Sequence, residues 1–128
     1  MVLGAVRADP RSAPFFEAAA RDTLLIKRCG GCERWLGPEA TGCAGCGESA
    51  VRWEAACGRG ILVSFAGAPG LAGEGGGVLA LVELEEGPWV HTRLVAGPAD
   101  AVVGMAVVAR FEHPAEGESY PLFRPSAG

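Results

Sequence analysis

The sequence predicts a mainly β protein in three parts: a short N-terminal helix, a metal-stapled ribbon and a small antiparallel barrel. Three observations carry this prediction. Two C-x-x-C pairs, Cys29-Gly-Gly-Cys32 and Cys43-Ala-Gly-Cys46, stand ten residues apart. One stretch near the N-terminus, Pro14–Asp22, repeats its apolar residues at helical spacing. From Gly60 onward, short alternating apolar runs are separated by glycine and proline turns, with no helix between them. The expected divisions are residues 1–24 for a lead-in and helix, 25–52 for the ribbon and 53–128 for the barrel.

The helix begins after Ser12, a good capping residue, with Pro14 in the first turn where its missing N–H does no harm. Phe16, Ala20 and Leu24 fall on one stripe, with Phe15 and Ala19 beside it. Two adjacent phenylalanines on one short helix need cover, either from the rest of the domain or from a partner. Thr23–Arg28 reads as a strand entering the first cysteine pair, and Glu33–Leu36 as its return. Gly37-Pro38 breaks that strand. Ala50–Ala56 leaves the second pair as another strand. Trp35 and Trp53 are expected to cover the metal module.

The remaining strands are Gly60–Gly67, Val78–Glu85, Trp89–Val95 and Gly104–His113, with Tyr120–Phe123 as a short closing segment. In the third, Val90, Thr92 and Leu94 alternate with Trp89, His91 and Arg93. In the fourth, Met105, Val107, Ala109 and Phe111 oppose Arg110 and Glu112. Gly70–Gly77 is expected to be a mobile connector, since so many glycines raise the entropic cost of ordering it. Four or five strands in about 70 residues fit a small OB-type barrel.

Cys29, Cys32, Cys43 and Cys46 are the candidate metal ligands. A two-residue spacer lets both thiolates of a pair reach one ion, and two pairs complete a tetrahedral shell of four thiolates. Gly47, after the second pair, suits a left-handed knuckle. Disulfides belong to oxidising compartments, and the N-terminus has no signal-peptide core. Iron also takes four thiolates, so the spacing leaves zinc and iron open; zinc is the expectation because structural sites of this kind are abundant. A closed sulfur shell leaves no position for substrate, which makes the metal structural.

With 128 residues, 49% of them hydrophobic, the chain can form one modest domain plus a metal-stapled module. No run reaches the length of a membrane-spanning helix, so a soluble, cytoplasmic protein is expected. Net charge is −4. Residues 61–128 hold three basic and eight acidic side chains, a net −5 that repels a phosphate backbone. A local patch of Arg28, Arg34, Arg52 and Arg59 keeps a nucleic-acid-binding module as the alternative reading.

The chain has two histidines, His91 and His113. Neither stands in a recognisable nucleophile motif, and no phosphate loop or dinucleotide fingerprint is present. Cys57 reads as a small residue at a strand start, and Glu83, Glu85 and Glu86 as a polar face and turn. Catalytic residues are therefore expected to be absent from this chain.

Taken together, Phe15-Phe16-Glu-Ala, Leu24 to Arg28 with Cys29-Gly-Gly-Cys32, Cys43-Ala-Gly-Cys46-Gly47, Trp53 and Gly58-Arg-Gly60-Ile-Leu-Val-Ser64 resemble the DUF35 family. Val82-Glu-Leu-Glu-Glu-Gly87 and Val103–Phe111 extend the resemblance, which covers about residues 13–125. It departs in having less helix before the ribbon, and in Cys57, where a serine commonly precedes the glycine. The resemblance implies a rubredoxin-like zinc ribbon followed by an OB-fold. It also implies an accessory or scaffold role beside a thiolase-like partner, a thiolase or aldolase acting on acyl-CoA thioesters. Some family members serve an aldolase that shortens steroid-derived CoA esters; others pass a CoA ester between enzymes. A 2:2 assembly with the partner is expected, and a hydratase domain or subunit is a further expected associate, since some relatives are fused to one. Structural Zn2+ is the implied cofactor, with acyl-CoA bound at or near the partner interface. Arg59 or Arg93 matches the residue type that meets CoA phosphates. Two surfaces are expected to matter: the Gly70–Gly77 loop, as a segment that a partner or a pantetheine arm could order, and a surface that joins the Phe15/Phe16 helix to the barrel face bearing Trp89 and Arg93.

Overall fold

The computed structural model describes residues 12–43, 45–47, 50–67 and 78–126. Residues 1–11 of the lead-in expected over residues 1–12, and the connector expected over Gly70–Gly77, lie outside them.

Helix α1 spans Ala13–Ala19, with Ser12 at its N-cap and Pro14 in the first turn. The Ser12 carbonyl accepts from the Phe15 and Phe16 N–H groups at 3.0 and 3.3 Å. The helix stops short of Asp22 because Asp22 turns left-handed (φ 56°), and Thr23 N–H bonds back to the Ala18 carbonyl at 3.0 Å. The expected stripe therefore changes: Ala18 and Ala19 are buried and Ala20 is exposed. Leu24, beyond the helix, enters the main core instead.

Three strands form the ribbon sheet: β1 (Leu25–Cys29), β2 (Trp35–Leu36) and β3 (Val51–Ala55), antiparallel in the order β2-β1-β3. β2 is shorter than the Glu33–Leu36 expectation because Glu33 is itself left-handed (φ 67°). The division expected between residues 52 and 53 falls inside β3, which pairs with β1 along its whole length. Ile26, fully buried, and Leu24 belong to the same apolar cluster as the barrel interior, so the ribbon sheet is rooted in the barrel core.

The barrel comprises β4 (Arg59–Gly67), β5 (Val78–Leu84), β6 (Trp89–Leu94), β7 (Ala106–Glu112) and β8 (Tyr120–Pro125). It closes in the order β4-β5-β6-β8-β7, with β7 returning to β4. All pairs are antiparallel except β6 with β8, which meet in parallel at Leu94 and Phe123. Closure abolishes free sheet edges, the usual hazard of an all-β chain. Alternation fills the interior: Leu62, Val78, Val82, Leu84, Leu94, Val107 and Phe123 are all at most 2% exposed. A bulge between Leu62 and Ser64 keeps β4 in register with β5 across the bend. Gly60 permits the tight approach of β4 to β5: a Cβ there would lie 2.6 Å from both the Glu83 carbonyl oxygen and Val82 Cγ1.

Helix α1 packs on β1 and β8. Phe15 sits edge-on to Phe16 (5.1 Å between ring centroids), lies 6.3 Å from Trp53 and packs against the core. The domain thus covers Phe15 in part, and both phenylalanines remain half-buried. Both tryptophans, expected to cover the metal module, lie on residues of the ribbon sheet. Trp53 lies between Phe15 and Lys27, whose ammonium is 4.6 Å from the ring centroid. Trp35 packs on the core beneath the Arg28 guanidinium, at 4.5 Å.

Candidate metal centre

The ribbon gathers Cys29, Cys32, Cys43 and Cys46 so that all four sulfurs lie within 4.8 Å of one another. Cys29 Sγ is 3.5 Å from Cys46 Sγ, and Cys32 Sγ is 3.8 Å from Cys43 Sγ. These separations are far beyond a disulfide, about 2.05 Å. They match a tetrahedron of thiolates around one ion, in which Zn–S bonds of about 2.3 Å place the sulfurs about 3.8 Å apart. One cysteine of each pair, Cys29 or Cys43, is buried; Cys32 and Cys46 are exposed.

The two knuckles repeat one geometry. The Glu33 N–H donates to the Cys29 carbonyl at 3.2 Å, and the Gly47 N–H to the Cys43 carbonyl at 2.8 Å. Both donors are left-handed, Glu33 at φ 67° and Gly47 at φ 77°. Glycine takes that conformation freely, whereas glutamate holds it at a cost of about 1–2 kcal/mol. Two N–H groups, from Gly31 and Cys32, donate to Cys29 Sγ at 3.2 and 3.4 Å. The Cys32 N–H bond is the largest cause that pulls the Cys29 thiol down to about 6. The Cys43 thiol is likewise lowered, chiefly by the N–H of Cys46. Backbone donors aimed at sulfur favour the thiolate, the form that binds metal. The Arg34 guanidinium lies against the second knuckle, where a Cβ on Gly45 would be 2.6 Å from its central carbon. The cluster thus has the donors, spacing, preorganised charge state and nearby cation that a four-thiolate metal site needs.

The expected arginine patch is spoken for by carboxylates. Arg52 bonds Glu33 at 3.0 Å and Glu54 at 3.1 Å. Arg28 lies 3.6 Å from Glu54, and Arg59 is 3.0 Å from Glu85. With Arg34 laid on the knuckle, these four cations do not form a free phosphate-binding track, which weighs against the nucleic-acid alternative.

Cys57, Glu85 and Glu86 form a cluster that local sequence does not reveal. The exposed Cys57 thiol donates to Glu85 Oε2 at 2.9 Å, and the Cys57 N–H to Glu86 Oε2 at 2.7 Å. Arg59 Nε also donates to Glu85 Oε2, at 3.0 Å. Burial, then the Glu85 carboxylate, pushes the Cys57 thiol up, and the bonds from Cys57 and Arg59 hold the Glu85 carboxyl down. A thiol held protonated is a poor nucleophile. The arrangement ties the ribbon–barrel junction to the β5–β6 turn. An open cleft of about 540 Å³ borders it, lined by Arg59, Ile61, Glu83, Glu85 and Ala106 among others.

His113 bridges two distant segments. One ring nitrogen, Nδ1, is 2.9 Å from Ser119 Oγ, and the other, Nε2, is 2.8 Å from Asp22 Oδ1. No local signal announces these companions, which stand 6 and 91 residues away in the chain. The chain of contacts has the residue types of a nucleophilic triad, but it lies in the open, with the His113 and Asp22 side chains 45% and 69% exposed. Its geometry is that of a clamp between the turn after α1 and the β7–β8 loop. His91 is exposed on the outer face of β6. Trp89 gives its indole N–H to Glu83 Oε2 at 3.1 Å.

Among the described residues, no helix is long and apolar enough to cross a membrane.

Two family models match in tandem: the ChsH2 rubredoxin-like zinc ribbon domain over residues 16–52, and the ChsH2 C-terminal OB-fold domain over residues 53–112. A curated relative, a probable enoyl-CoA hydratase alpha subunit of Thermomonospora curvata, is 35% identical over 119 residues. The match takes in 90% of this chain but spans only 37% of that relative. Among solved structures, the chain resembles one from an Ltp2-ChsH2(DUF35) aldolase, with a TM-score of 0.78 and 34% identity over 92% of this chain and 96% of that one. A DUF35-family protein of unknown function from Sulfolobus solfataricus shares the fold at a TM-score of 0.62 and 13% identity, over 93% of this chain and 87% of that one. With its four-cysteine ribbon, its closed five-stranded barrel and this likeness along nearly its whole length, the chain belongs to the ChsH2-type DUF35 family.

Proposed function

We propose that this chain is a non-catalytic accessory subunit of a thiolase-like enzyme, a thiolase or aldolase, that acts on acyl-CoA thioesters. The observation that carries the reading is the 34% identity, over 96% of its length, to the DUF35 chain of an Ltp2-ChsH2 aldolase. The side-chain chemistry of the described residues supports it: the Cys57 thiol is held protonated, and His113 serves as an exposed clamp. The partner then supplies the reacting groups, and this chain positions the partner or the CoA ester. Lipid or steroid side-chain degradation is the setting this reading favours, with a 2:2 assembly in the cytoplasm. The hydratase name of the T. curvata relative supports a hydratase domain or subunit as a further associate, since this chain matches only part of that protein.

In the same reading Cys29, Cys32, Cys43 and Cys46 hold one structural Zn2+. Four sulfurs at tetrahedral spacing, within a match to a zinc-ribbon model, support it. The ion fills its shell with protein sulfur and does no chemistry on substrate.

The test is reconstitution. Turnover of a CoA thioester by the source organism's Ltp2-like protein is measured with and without this chain. Turnover that requires the chain, while the chain alone gives none, supports the proposal. Turnover by the isolated chain, or full activity of the partner alone, overturns it.

A further inference from the structure

Strand β5 is apolar on both sides. Val78, Ala80, Val82 and Leu84 point into the barrel and are buried. The outward positions are Leu79, 49% exposed, Leu81, half-buried, and Glu83. A barrel strand facing water on one side alternates apolar with polar; leucines at two of three outward positions are the pattern of a strand covered on both faces. Register continues this surface onto both neighbours. Ala66, Ser64 and Ile61 of β4 lie opposite Leu79, Leu81 and Glu83. On the other side β6 brings Arg93, His91 and Trp89 to the same three positions. Ile61 (48% exposed) and Trp89 (52%) join Leu79 there.

Arg93 adds a specific demand. Its Nε is buried and has no hydrogen-bond partner among the described residues. That nitrogen is closed to an incoming group, but Arg93 as a whole is half-buried and makes no ion pair among the described residues, so its guanidinium can still take a carboxylate from outside. The face itself offers a single carboxylate. That carboxylate, Glu83, sits at the far end of β5 and already accepts the Trp89 indole N–H. A second copy is therefore the poorer occupant. Tryptophan and arginine set in aliphatic surroundings are also the residue types enriched at interface hot spots.

We propose that the outer face of β4, β5 and β6, centred on Leu79, Leu81 and Trp89, is where the thiolase-like partner docks, with Arg93 receiving a carboxylate of that partner. This rests on the accessory-subunit reading above and says which surface serves it.

The test compares affinities of purified, metal-loaded chain for the source organism's Ltp2-like protein. Leu79→Glu should weaken binding about 100-fold and Arg93→Glu at least about 10-fold, as hot-spot residues do. Val102→Glu, a still more exposed apolar position outside this face, should stay within about 3-fold, as near-neutral sites do. Wild-type affinity in both face variants, or equal loss in Val102→Glu, overturns the docking face and leaves the accessory role standing. No binding by the wild-type chain overturns both. A wild-type dimer that Leu79→Glu dissociates assigns the face to a second copy and overturns the proposal. Should Leu79→Glu fail to fold, hydroxyl-radical footprinting of the wild-type complex decides: Trp89 protected by the partner supports the face, and unchanged oxidation of Trp89 overturns it.

Discussion

Removing the metal should unfold part of this protein and spare the rest, and the structure sets where the boundary falls. Among the described residues between Gly30 and Ala50, Cys43 is the only buried one; Trp35 and Leu36 are half-buried. Their apolar burial is worth a few kcal/mol at most. A structural zinc in a ribbon of this kind contributes roughly 10–16 kcal/mol, several times as much. Chelation should therefore melt the knuckles. The sheet beside them is different. Leu24 and Ile26 are locked into the barrel cluster, and β1 pairs with β3 from Leu25 to Cys29. From the sequence, chelation is expected to unfold residues 25–55; the packing confines the loss to about residues 29–50, with the barrel intact. Hydrogen exchange with and without a strong chelator measures this directly. The N–H groups of Glu33 and Gly47, which close the knuckles, should lose protection, while Val82, Leu94 and Phe123 keep theirs. Unchanged knuckle protection after verified metal removal would refute the reasoning, as would collapse of the barrel together with the ribbon.

Other consequences are equally checkable. Gly60→Ala should destabilise the barrel by about 1–3 kcal/mol in urea unfolding, because the new methyl meets the Glu83 carbonyl of a paired strand, which cannot step aside; a stabilised variant would show that β4 has room. Phe123→Ala empties the fully buried junction of β6 and β8 and should cost about 3–5 kcal/mol; a loss below about 1 kcal/mol would place the core elsewhere. Cys57 should alkylate more slowly at pH 8 than a free cysteine peptide, since its thiol titrates above the ordinary value, and Glu85→Gln should speed the reaction. Faster reaction than the peptide would contradict this. Glu85 has a depressed carboxyl, so its contribution to stability is present above the ordinary carboxylate value and is lost as pH falls through the lowered one. Arg59→Gln should flatten that acid limb of the stability profile, and an unaltered limb would refute the pairing.

The legible parts of the structure are those whose signal is local. The convergence of the four cysteines is readable because a two-residue spacer is a direct statement of geometry, and their sulfurs lie within 4.8 Å of one another. The barrel strands are readable because one face of each is buried, so alternation survives in Val90, Thr92 and Leu94 or in Val78, Ala80 and Val82. What could not be read depends on residues far apart in the chain. Glu33 repeats the left-handed role of Gly47, but a glutamate carries no left-handed signature. Phe123 is more than a closing residue, because β8 seals the barrel between β6 and β7, a placement no local pattern encodes. The contact of Trp53 with Phe15 depends on a helix that packs on β1, which no local pattern announces. The Cys57–Glu85–Arg59 cluster and the Asp22–His113–Ser119 clamp join segments 26 to 91 residues apart. Their residues look like ordinary surface positions until the fold brings them together.

We propose that this chain works as a subunit. Native mass spectrometry of the chain co-expressed with its organism's Ltp2-like protein tests that claim most directly. One stoichiometric complex is expected, in which every copy of this chain carries one zinc. Two separate species at micromolar concentration, with or without the metal, would contradict it.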